Sequence, residues 1–569
     1  MNKYIIILLL AGSILSCKTG EKSFPLFRSK STTEKILQGD ALLIRAAAEK
    51  AKGNLDQAEA LYKASLKQEG NPAAAHFELS QLIYSQRKDY PIAMQHIQEA
   101  MRLDENNKWY LFFYLTLNEE NARPDLVEAG YNKLIKIHPE NMEYRLQFAD
   151  FYIQHKKYDQ ALNVYNQIEE KVGVSEGVNK NKFLINKGLK RDEKAIKELK
   201  KLIEAFPLKE RYYMELADMY RLKKDTKNLE LVYENALQKM PYNTEIMDEY
   251  GHYCFLSGKM DTAYALHQKV LSDENYSVGH KLQVLDLYLK YEKLDSLLSP
   301  KREHLFLLLQ QKHATDFQAN KYLGEHYFRR ENYGLAKTHF LTALAEKKNS
   351  FGTWQQLVMT DHRLEDYDAM AKDAEEGIIY FPAQSQLYYY QGLAQVQLER
   401  FDKGIKAYEE GLLYCSGDIQ RATFLSALGD AYHSTGNHAK SDESFEQSLA
   451  LDSLNAMVLN NYAYYLSERK FNLKRAEEMS FISNTLRPGT ASFNDTYGWI
   501  LYQMGKYDNA LEWLLKAENN GGGESAIILE HIGDTYRELK KIVYANQYYY
   551  KALQLGGTKE RLTNKIKQL

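Results

Sequence analysis

The sequence is poor in residues that interrupt or cross-link a chain. Its 569 residues include only 10 prolines, 31 glycines and 3 cysteines. Proline and glycine mark the ends of regular elements, so their scarcity predicts long uninterrupted ones. Three cysteines are too few for a disulfide-dense secreted scaffold. Cys254 and Cys415 lie 161 positions apart, and we expect two buried thiols here, not a disulfide.

The sequence also has no excess of positive or of negative charge. The 74 basic and 76 acidic side chains leave a formal net charge of -2. A protein that binds duplex nucleic acid usually carries a basic excess that displaces counterions from the phosphates. Nucleic acid is therefore not an expected partner. The hydrophobic share of 44% provides enough apolar surface to offset the entropy of ordering, which excludes general disorder.

Motifs that carry catalysis are also absent. The sequence contains no HExxH, GxxxxGK[ST], GxSxG, GxGxxG or CxxC pattern. The glycine run at 521–523 follows no predicted strand, and acidic neighbours such as Glu477 and Glu478 point apart on a helix. We therefore predict that the protein is not an enzyme and that it holds neither a cofactor nor a metal ion.

The amino terminus has the features of an export signal. Lys3 precedes an aliphatic run from Tyr4 to Leu10, and small residues follow up to Ser16. The apolar stretch 4–16 is about 20 Å long as a helix, whereas a helix that spans a bilayer needs about 20 apolar residues. A short apolar core between a positive start and small residues is typical of a secretory signal.

Residues 14–17, Ile-Leu-Ser-Cys, resemble the lipobox of bacterial lipoproteins. The resemblance implies a signal peptide over 1–16, acylation of Cys17, stable membrane anchoring by its acyl chains and a polar tether over 17–38. The alternatives are an ordinary secretory signal or an uncleaved anchor with a chance cysteine. Lys18 stands where many inner-membrane lipoproteins carry Asp, and no acidic cluster follows. We therefore expect a periplasm-facing location on the outer membrane.

From residue 39 the sequence repeats with a period of about 34 residues, which decides the predicted architecture. Clear copies carry a small residue, then alanine twelve positions on, an aromatic residue sixteen on and a small or aliphatic residue nineteen on, as in Gly324, Ala336, Phe340 and Ala343. The first positions of the copies are Ala46, Gln81, Leu115, Ala149, Phe183, Ala217, Gly251, Gly324, Val358, Gly392, Gly429, Ala463, Gly498 and Gly533.

This pattern predicts two antiparallel helices in each repeat. The first helix presents its small residue where two helices cross closely, and the second helix fills the crossing with a ring. Together with Trp354, Leu428-Gly429 and Tyr432, the series resembles the tetratricopeptide-repeat (TPR) family. The resemblance implies an all-α fold, a TPR α-solenoid of about 15 antiparallel helix pairs that form a right-handed superhelix.

The spacing also predicts how the chain is divided. An N-terminal array covers 39–279, a degenerate irregular repeat covers 280–315, a C-terminal array covers 316–557, and a capping tail covers 558–569. The irregular segment lacks the alanine and aromatic series. Two interpretations stay open for it: a hinge or docking surface, or an irregular structural repeat.

The TPR resemblance implies recognition of partners in a groove lined by the first helices. Several residues that follow the first positions are acidic or aromatic, so the lysine and asparagine clamp for chaperone tails is not carried over. They include Glu325, Asp430, Asp534, Asp218, Tyr464 and Trp499. An acidic groove would suit a basic or amphipathic segment, although the same residues also serve as ordinary solvated charge.

The C-terminal repeats supply the candidate groove contacts. Asn460 and Asn461 carry amides that can hydrogen-bond a peptide backbone. Tyr464 follows a first position, and Trp499 and Tyr502 either stack on a ligand or fill the wall of the groove.

The leading hypothesis is a membrane-anchored scaffold lipoprotein that binds other proteins or peptide segments of the Gram-negative envelope, in machinery for secretion, gliding or outer-membrane assembly. The alternative is a TPR-based glycan or nutrient-binding lipoprotein, for which the near-constant spacing leaves little room for a sugar site. An enzyme with an unrecognised site is a third possibility, and no convergent polar cluster supports it.

Overall fold

A computed structural model describes residues 30–291 and 298–569. These residues form 31 α-helices, one short 3₁₀ helix and no strand. The predicted all-α repeat fold is confirmed. The predicted signal peptide 1–16 and Cys17 lie outside the described residues, as does the tether up to residue 29. No helix within the described ranges has an apolar stretch long enough to span a bilayer.

The chain divides into two compact units, Met1–Tyr242 and Asn243–Leu569. We call them unit 1 and unit 2. The helices of unit 1 are α1 Lys30–Ala51, α2 Leu55–Ser65, α3 Pro72–Arg87, α4 Tyr90–Leu103, α5 Lys108–Glu120, α6 Pro124–Ile137, α7 Met142–Gln154, α8 Tyr158–Val172, α9 Glu176–Gly188, α10 Asp192–Ala205, α11 Glu210–Leu222 and α12 Thr226–Lys239.

Unit 2 continues the same alternation. Its helices are α13 Thr244–Leu256, α14 Met260–Ser272, α15 Val278–Lys290, α16 Leu298–Lys312, α17 Phe317–Arg329, α18 Tyr333–Glu346, α19 Phe351–Arg363, α20 Tyr367–Tyr380, α21 Ser385–Gln397, α22 Phe401–Leu412, α23 Asp418–Ser434, α24 His438–Leu451, α25 Ala456–Glu468, α26 Leu473–Leu486, α27 Ala491–Gln503, α28 Tyr507–Asn519, α29 Ala526–Glu538, α30 Ile542–Gln554 and α31 Lys559–Lys567.

Odd-numbered helices up to α29 are the first helices of their repeats, and even-numbered helices are the second ones. Many first helices begin after an asparagine or aspartate whose side chain accepts a backbone N–H, as Asn141, Asp316 and Asn455 do. Such a cap satisfies one of the free amides of the first turn. Prolines lie just beyond some second helices, for example Pro139 after α6 and Pro382 after α20, where a residue without an amide donor ends the helix.

The predicted packing of small residues against rings is confirmed in unit 2. A Cβ atom added to Gly324 would lie 2.5 Å from Cε1 of Phe340, and one added to Gly392 would lie 2.5 Å from Cε1 of Tyr408. Real Cβ atoms do not approach so closely, so each ring occupies the space that the glycine leaves. Further pairs of this kind are Gly429 with Phe445 and Gly533 with Tyr549.

The turn between the two helices of a repeat uses a left-handed residue. Gly53, Gly258 and Gly505 take this conformation with φ of 86°, 78° and 77°, which glycine adopts without steric cost. Other repeats use a residue with a side chain at the same place, for which this conformation costs free energy. These residues include Lys88, Ala122, Lys156, Lys190, Lys224, Glu331, Glu365, Glu399, Lys470 and Lys540.

The irregular segment 280–315 coincides with α15 and α16 and lies within unit 2. α16 contacts α14, the second helix of the preceding repeat. Cys254 is buried as expected, but Cys415 is half-buried, so the prediction of two buried thiols is wrong for Cys415.

Candidate protein-binding surface

The first helices of unit 2 form a continuous inner layer. Each first helix from α15 to α29 contacts the next first helix directly. Neighbouring second helices contact one another far less, apart from α14 and α16. We call the layer formed by the first helices α15 to α29 the inner layer, and its exposed side chains share one surface. The candidate contacts of the C-terminal repeats belong to α25 and α27 of this layer.

An aromatic stack dominates the C-terminal end of the inner layer. The ring of Trp499 lies 4.6 Å from that of Tyr502, with 5° between their planes, and 3.9 Å from that of His531, with 13° between their planes. The indole N–H of Trp499 donates to Glu468 at 2.7 Å. Only 9% of Trp499 is exposed, so little of its ring is free to stack on a ligand.

The candidate contacts on α25 are less completely covered. Asn460 is buried, and its Nδ2 lies 3.5 Å from Oδ1 of Asn461. Tyr464 and Asn461 are half-buried. Burial, together with the charges of Glu468 and Asp495, raises the pKa of Tyr464 to about 12. Tyr464 therefore stays a neutral phenol that can donate or accept a hydrogen bond.

The acidic side chains of this surface have internal partners. Asp430 accepts a hydrogen bond from Tyr465 at 3.0 Å, and burial raises its pKa to about 6 despite that bond. Asp495 lies 2.9 Å from Nδ1 of His531. Burial opposes protonation of His531, but the charge and hydrogen bond of Asp495 leave its pKa raised.

The capping helix neutralises two further carboxylates. The predicted tail 558–569 contains α31, whose Lys565 donates to Glu530 at 2.7 Å and to Asp534 at 2.6 Å. Arg561 also donates to Glu530, at 2.6 Å. Because these carboxylates are paired within the chain, they are poor sites for a basic segment of another protein.

The sequence pattern indicates Trp499 and Tyr502 but not His531 or Glu468, the residues that fix the indole. Their contacts join different repeats, so no period within one repeat reveals them. Among the described residues, no group of three or more His, Cys, Asp or Glu side chains is arranged to hold a metal ion.

Comparisons with known proteins agree with the repeat architecture. Models of the tetratricopeptide repeat match residues 45–108 in unit 1 and residues 422–453 and 491–519 in unit 2. Tetratricopeptide repeats are therefore present in both units.

Two curated proteins of Pseudomonas aeruginosa are similar to parts of the chain. The type IV pilus assembly protein PilF is 31% identical over 145 residues, which cover 25% of this chain and 57% of PilF. The TPR repeat-containing protein PA4667 is 27% identical over 132 residues, which cover 23% of this chain and 22% of that protein. The chain thus matches little more than half of the first relative and about a fifth of the second.

Solved structures with related repeats include a tetratricopeptide repeat protein from Parabacteroides merdae, 13% identical with a TM-score of 0.38, covering 44% of this chain and 97% of that one. The structure of PilF from Pseudomonas aeruginosa is 25% identical with a TM-score of 0.28, covering 32% of this chain and 79% of that one.

Proposed function

We propose that this chain, a tetratricopeptide-repeat protein, is a lipid-anchored scaffold that binds other proteins of the Gram-negative cell envelope. The observation that carries the proposal is the repeat itself, matched in both units and arranged in unit 2 so that successive first helices form one inner layer. An extended layer of this kind offers a long surface on which a partner segment can lie.

The setting of the scaffold is inferred from a relative and from the amino terminus. The similar protein of Pseudomonas aeruginosa is named a type IV pilus assembly protein, which supports a role in assembling an envelope structure. The lipobox-like residues 14–17 support acylation at Cys17 and, with Lys18, a periplasm-facing place on the outer membrane. The role needs no catalytic step, cofactor or metal ion.

Tyr464 and Asn461 are the residues of the C-terminal surface that we expect to meet a partner. Both are half-buried on α25, so part of each residue is accessible. Trp499 and Tyr502 support that surface through their stacked rings, and Asn460 is buried beside Asn461.

The proposal is tested by crosslinking in intact envelopes followed by recovery of the protein. Four forms are compared: wild type, Cys17→Ala, the double variant Asn461→Ala with Tyr464→Ala, and the matched variant Tyr550→Ala. Tyr550 is exposed on the second helix α30. We expect wild type and Tyr550→Ala to recover the same envelope complex, Cys17→Ala to leave the membrane fraction, and the double variant to recover less of the complex.

Two results would contradict the proposal. If an acylated wild-type protein recovers no protein partner, the scaffold role is wrong and a glycan or small ligand becomes the better candidate. If the protein fractionates with the membrane equally well after Cys17→Ala, the lipid anchor is wrong.

A further inference from the structure

The inner layer of unit 2 has a cavity beside the irregular repeat. It has a volume of about 490 Å³ and lies at α15 and α17. The residues that line it are Asp286, Leu289, Lys290, His326, Arg329 and Arg330. Burial lowers the pKa of His326 to about 4, so this ring is neutral at physiological pH.

Among the described residues that line the cavity, positive charges outnumber negative ones. Arg330 donates to Glu303 at 2.6 Å, and Asp286 accepts from Tyr322 at 2.6 Å. Lys290 and Arg329 are both exposed. Within the described ranges, no carboxylate lies at ion-pair distance from either of them. Their two positive charges exceed the single negative charge of Asp286.

A third cation continues the series on the next repeat. The first helices α15, α17 and α19 each contain 13 residues and end on a basic one, Lys290, Arg329 and Arg363 respectively. Arg363 is exposed and likewise has no carboxylate partner among the described residues. Burial raises the pKa of Tyr390 on α21, and the positive charge of Arg363 opposes that rise. We call these three residues the basic row.

Stabilisation of helix ends does not account for the basic row. A cation in the last turn interacts favourably with the helix dipole. However, α13, α21, α25 and α27, which are first helices of the same length in unit 2, have no basic residue in their last turn. The fold therefore does not require a cation at this position.

We propose that the basic row and its cavity bind an acidic, extended segment of a partner protein that lies across α15, α17 and α19. The inference rests on the proposed scaffold function and specifies the chemistry of one partner. It also explains the contrast along the inner layer, where the carboxylates of the C-terminal repeats are paired internally while the cations of the basic row have no carboxylate partner among the described residues.

The spacing favours a polypeptide over a compact anion. Packed neighbouring helices lie about 8–10 Å apart, too far for one phosphate or sulfate ion to reach two cations of the row. An extended chain rises about 3.3 Å per residue, so acidic residues about three positions apart can face successive cations. Leu289 in the cavity wall offers an apolar contact between them.

The test measures binding of a fluorescent peptide to the full chain by anisotropy. The peptide carries glutamate at every third position among alanine and leucine, and a second peptide has glutamine in place of each glutamate. The row variant combines Lys290→Gln, Arg329→Gln and Arg363→Gln. The control variant combines Lys403→Gln, Lys406→Gln and Lys474→Gln, which are exposed on the second helices α22 and α26 and change the net charge equally.

We expect the glutamate peptide to bind wild type and to lose affinity by about tenfold or more in the row variant, since each exposed pair contributes up to about fivefold. The control variant should lose less than about twofold, and added salt should weaken binding. Equal binding of the glutamine peptide, or equal affinity of the two variants, would overturn the inference. The inference would also be overturned if wild type bound anionic lipid vesicles but not the peptide, and if the row variant no longer bound the vesicles.

Failure of this inference can be told apart from failure of the scaffold role. Crosslinking in envelopes with the same two variants separates them. If neither variant nor wild type recovers a protein partner, the scaffold role fails. If the row and control variants recover the same partners in equal amounts, the scaffold role stands and the acidic segment is wrong.

Discussion

The ring of Trp499 lies on the ring of His531 with 3.9 Å between their centroids, although the two residues are 32 positions apart. Trp499 belongs to α27 and His531 to α29, the first helices of neighbouring repeats. Asp495, also on α27, lies 2.9 Å from Nδ1 of His531. The stack and this charged hydrogen bond therefore join two repeats across the inner layer.

Replacing the imidazole should loosen this junction in a pH-dependent way. We expect His531→Gln to lower the stability of the last two repeats by about 1–2 kcal/mol. Because the folded-state pKa of His531 is raised, the stabilisation is fully present below about pH 6.5 and declines as the pH rises through the raised pKa. Hydrogen exchange over 491–538 measures it, and an advantage of wild type that grows with pH would contradict this.

Filling the space at a glycine–ring contact should destabilise unit 2. The Cβ atom of Gly392→Ala would meet Cε1 of Tyr408 at 2.5 Å and must displace it. We expect a loss of about 1–3 kcal/mol, seen as faster hydrogen exchange in α21 and α22. Gly352→Ala is the matched control, because nothing lies within 4 Å of its added Cβ atom. Equal effects of the two substitutions would refute close packing as the cause.

A buried ionic network should govern the acid stability of unit 1. Lys182 is buried and pairs with Glu169 and with Glu198, whose Oε1 lies 3.2 Å from its Nζ. Burial raises the pKa of Glu169, but hydrogen bonds led by that from Lys182 hold it at about 2. This stabilisation is present above the usual glutamate pKa near 4.3 and is lost as the pH falls towards 2.

The variant Lys182→Met tests that network. It removes the buried cation between Glu198 and the half-buried Glu169, which among the described residues keep only Lys201 as an ion-pair partner, so we expect a loss of about 1–3 kcal/mol at neutral pH and a weaker dependence on acid. Hydrogen exchange over 176–205 reports on these helices separately from unit 2. Lys187→Met, which breaks an exposed pair with Glu215, should cost less than about 1 kcal/mol; a comparable cost would argue against burial as the cause.

Asp361 should make its repeat less stable at higher pH. It is fully buried, with Lys337 Nζ 2.7 Å from its Oδ1. Burial foremost, opposed by Lys337 and assisted by Asp373, raises its pKa to about 7. The folded repeat therefore binds this proton more tightly than the unfolded chain, and stability falls as the pH rises from about 3.9 to about 7.

Removing the neighbouring charge should reduce that pH dependence. We expect Asp373→Asn to be more stable than wild type above pH 7 and to show a flatter profile, because Asp361 then ionises beside a neutral group. Hydrogen exchange over 333–380 at several pH values checks this. Asp368→Asn, at an exposed pair with Arg400, is the control, and a profile for Asp373→Asn as steep as that of wild type would contradict the expectation.

The left-handed turn residues offer sites for stabilisation. Glu365 has φ of 55°, a conformation that costs a residue with a Cβ atom about 1–2 kcal/mol and glycine much less. Glycine loses more conformational entropy on folding, which offsets part of this relief. We therefore expect Glu365→Gly to raise the free energy of unfolding by about 0.5–1 kcal/mol. Gly436, with φ of 75°, is the reverse test, since Gly436→Ala should lose stability. If thermal melts show that Glu365→Gly and Gly436→Ala shift the melting temperature in the same direction, the left-handed conformation is not the cause.

The repeat architecture was predictable because its packing rule lies within one helix pair. Gly324 and Phe340 are 16 residues apart, and the same interval recurs at Gly392 and Gly429. The packing of segment 280–315 was not predictable, because the series that sets the register is missing there. The structure shows that α16 contacts α14, the second helix of the preceding repeat.

The candidate site was predictable only in part. Aromatic residues next to first positions, such as Trp499, follow from the period, and the structure places Trp499 in the inner layer. The partners of the acidic residues do not follow from it. Lys565 reaches Asp534 from the capping helix, 31 positions away, and such contacts depend on how one repeat stacks on the next. The basic row could not be predicted for a related reason. Lys290 lies in the repeat that lacks the alanine and aromatic series, so the sequence does not align it with Arg329 and Arg363.

The glycine–ring contact has a consequence for how such a chain can change over evolutionary time. Gly324 and Phe340 belong to α17 and α18, so the geometry that one residue demands is met by another in the same helix pair. A gene segment that encodes one whole pair thus carries both halves of its fit when it is duplicated or lost. We expect homologous chains to differ in length by multiples of about 34 residues, with isolated single-residue gaps confined to segments such as 280–315, where the alanine and aromatic series is missing.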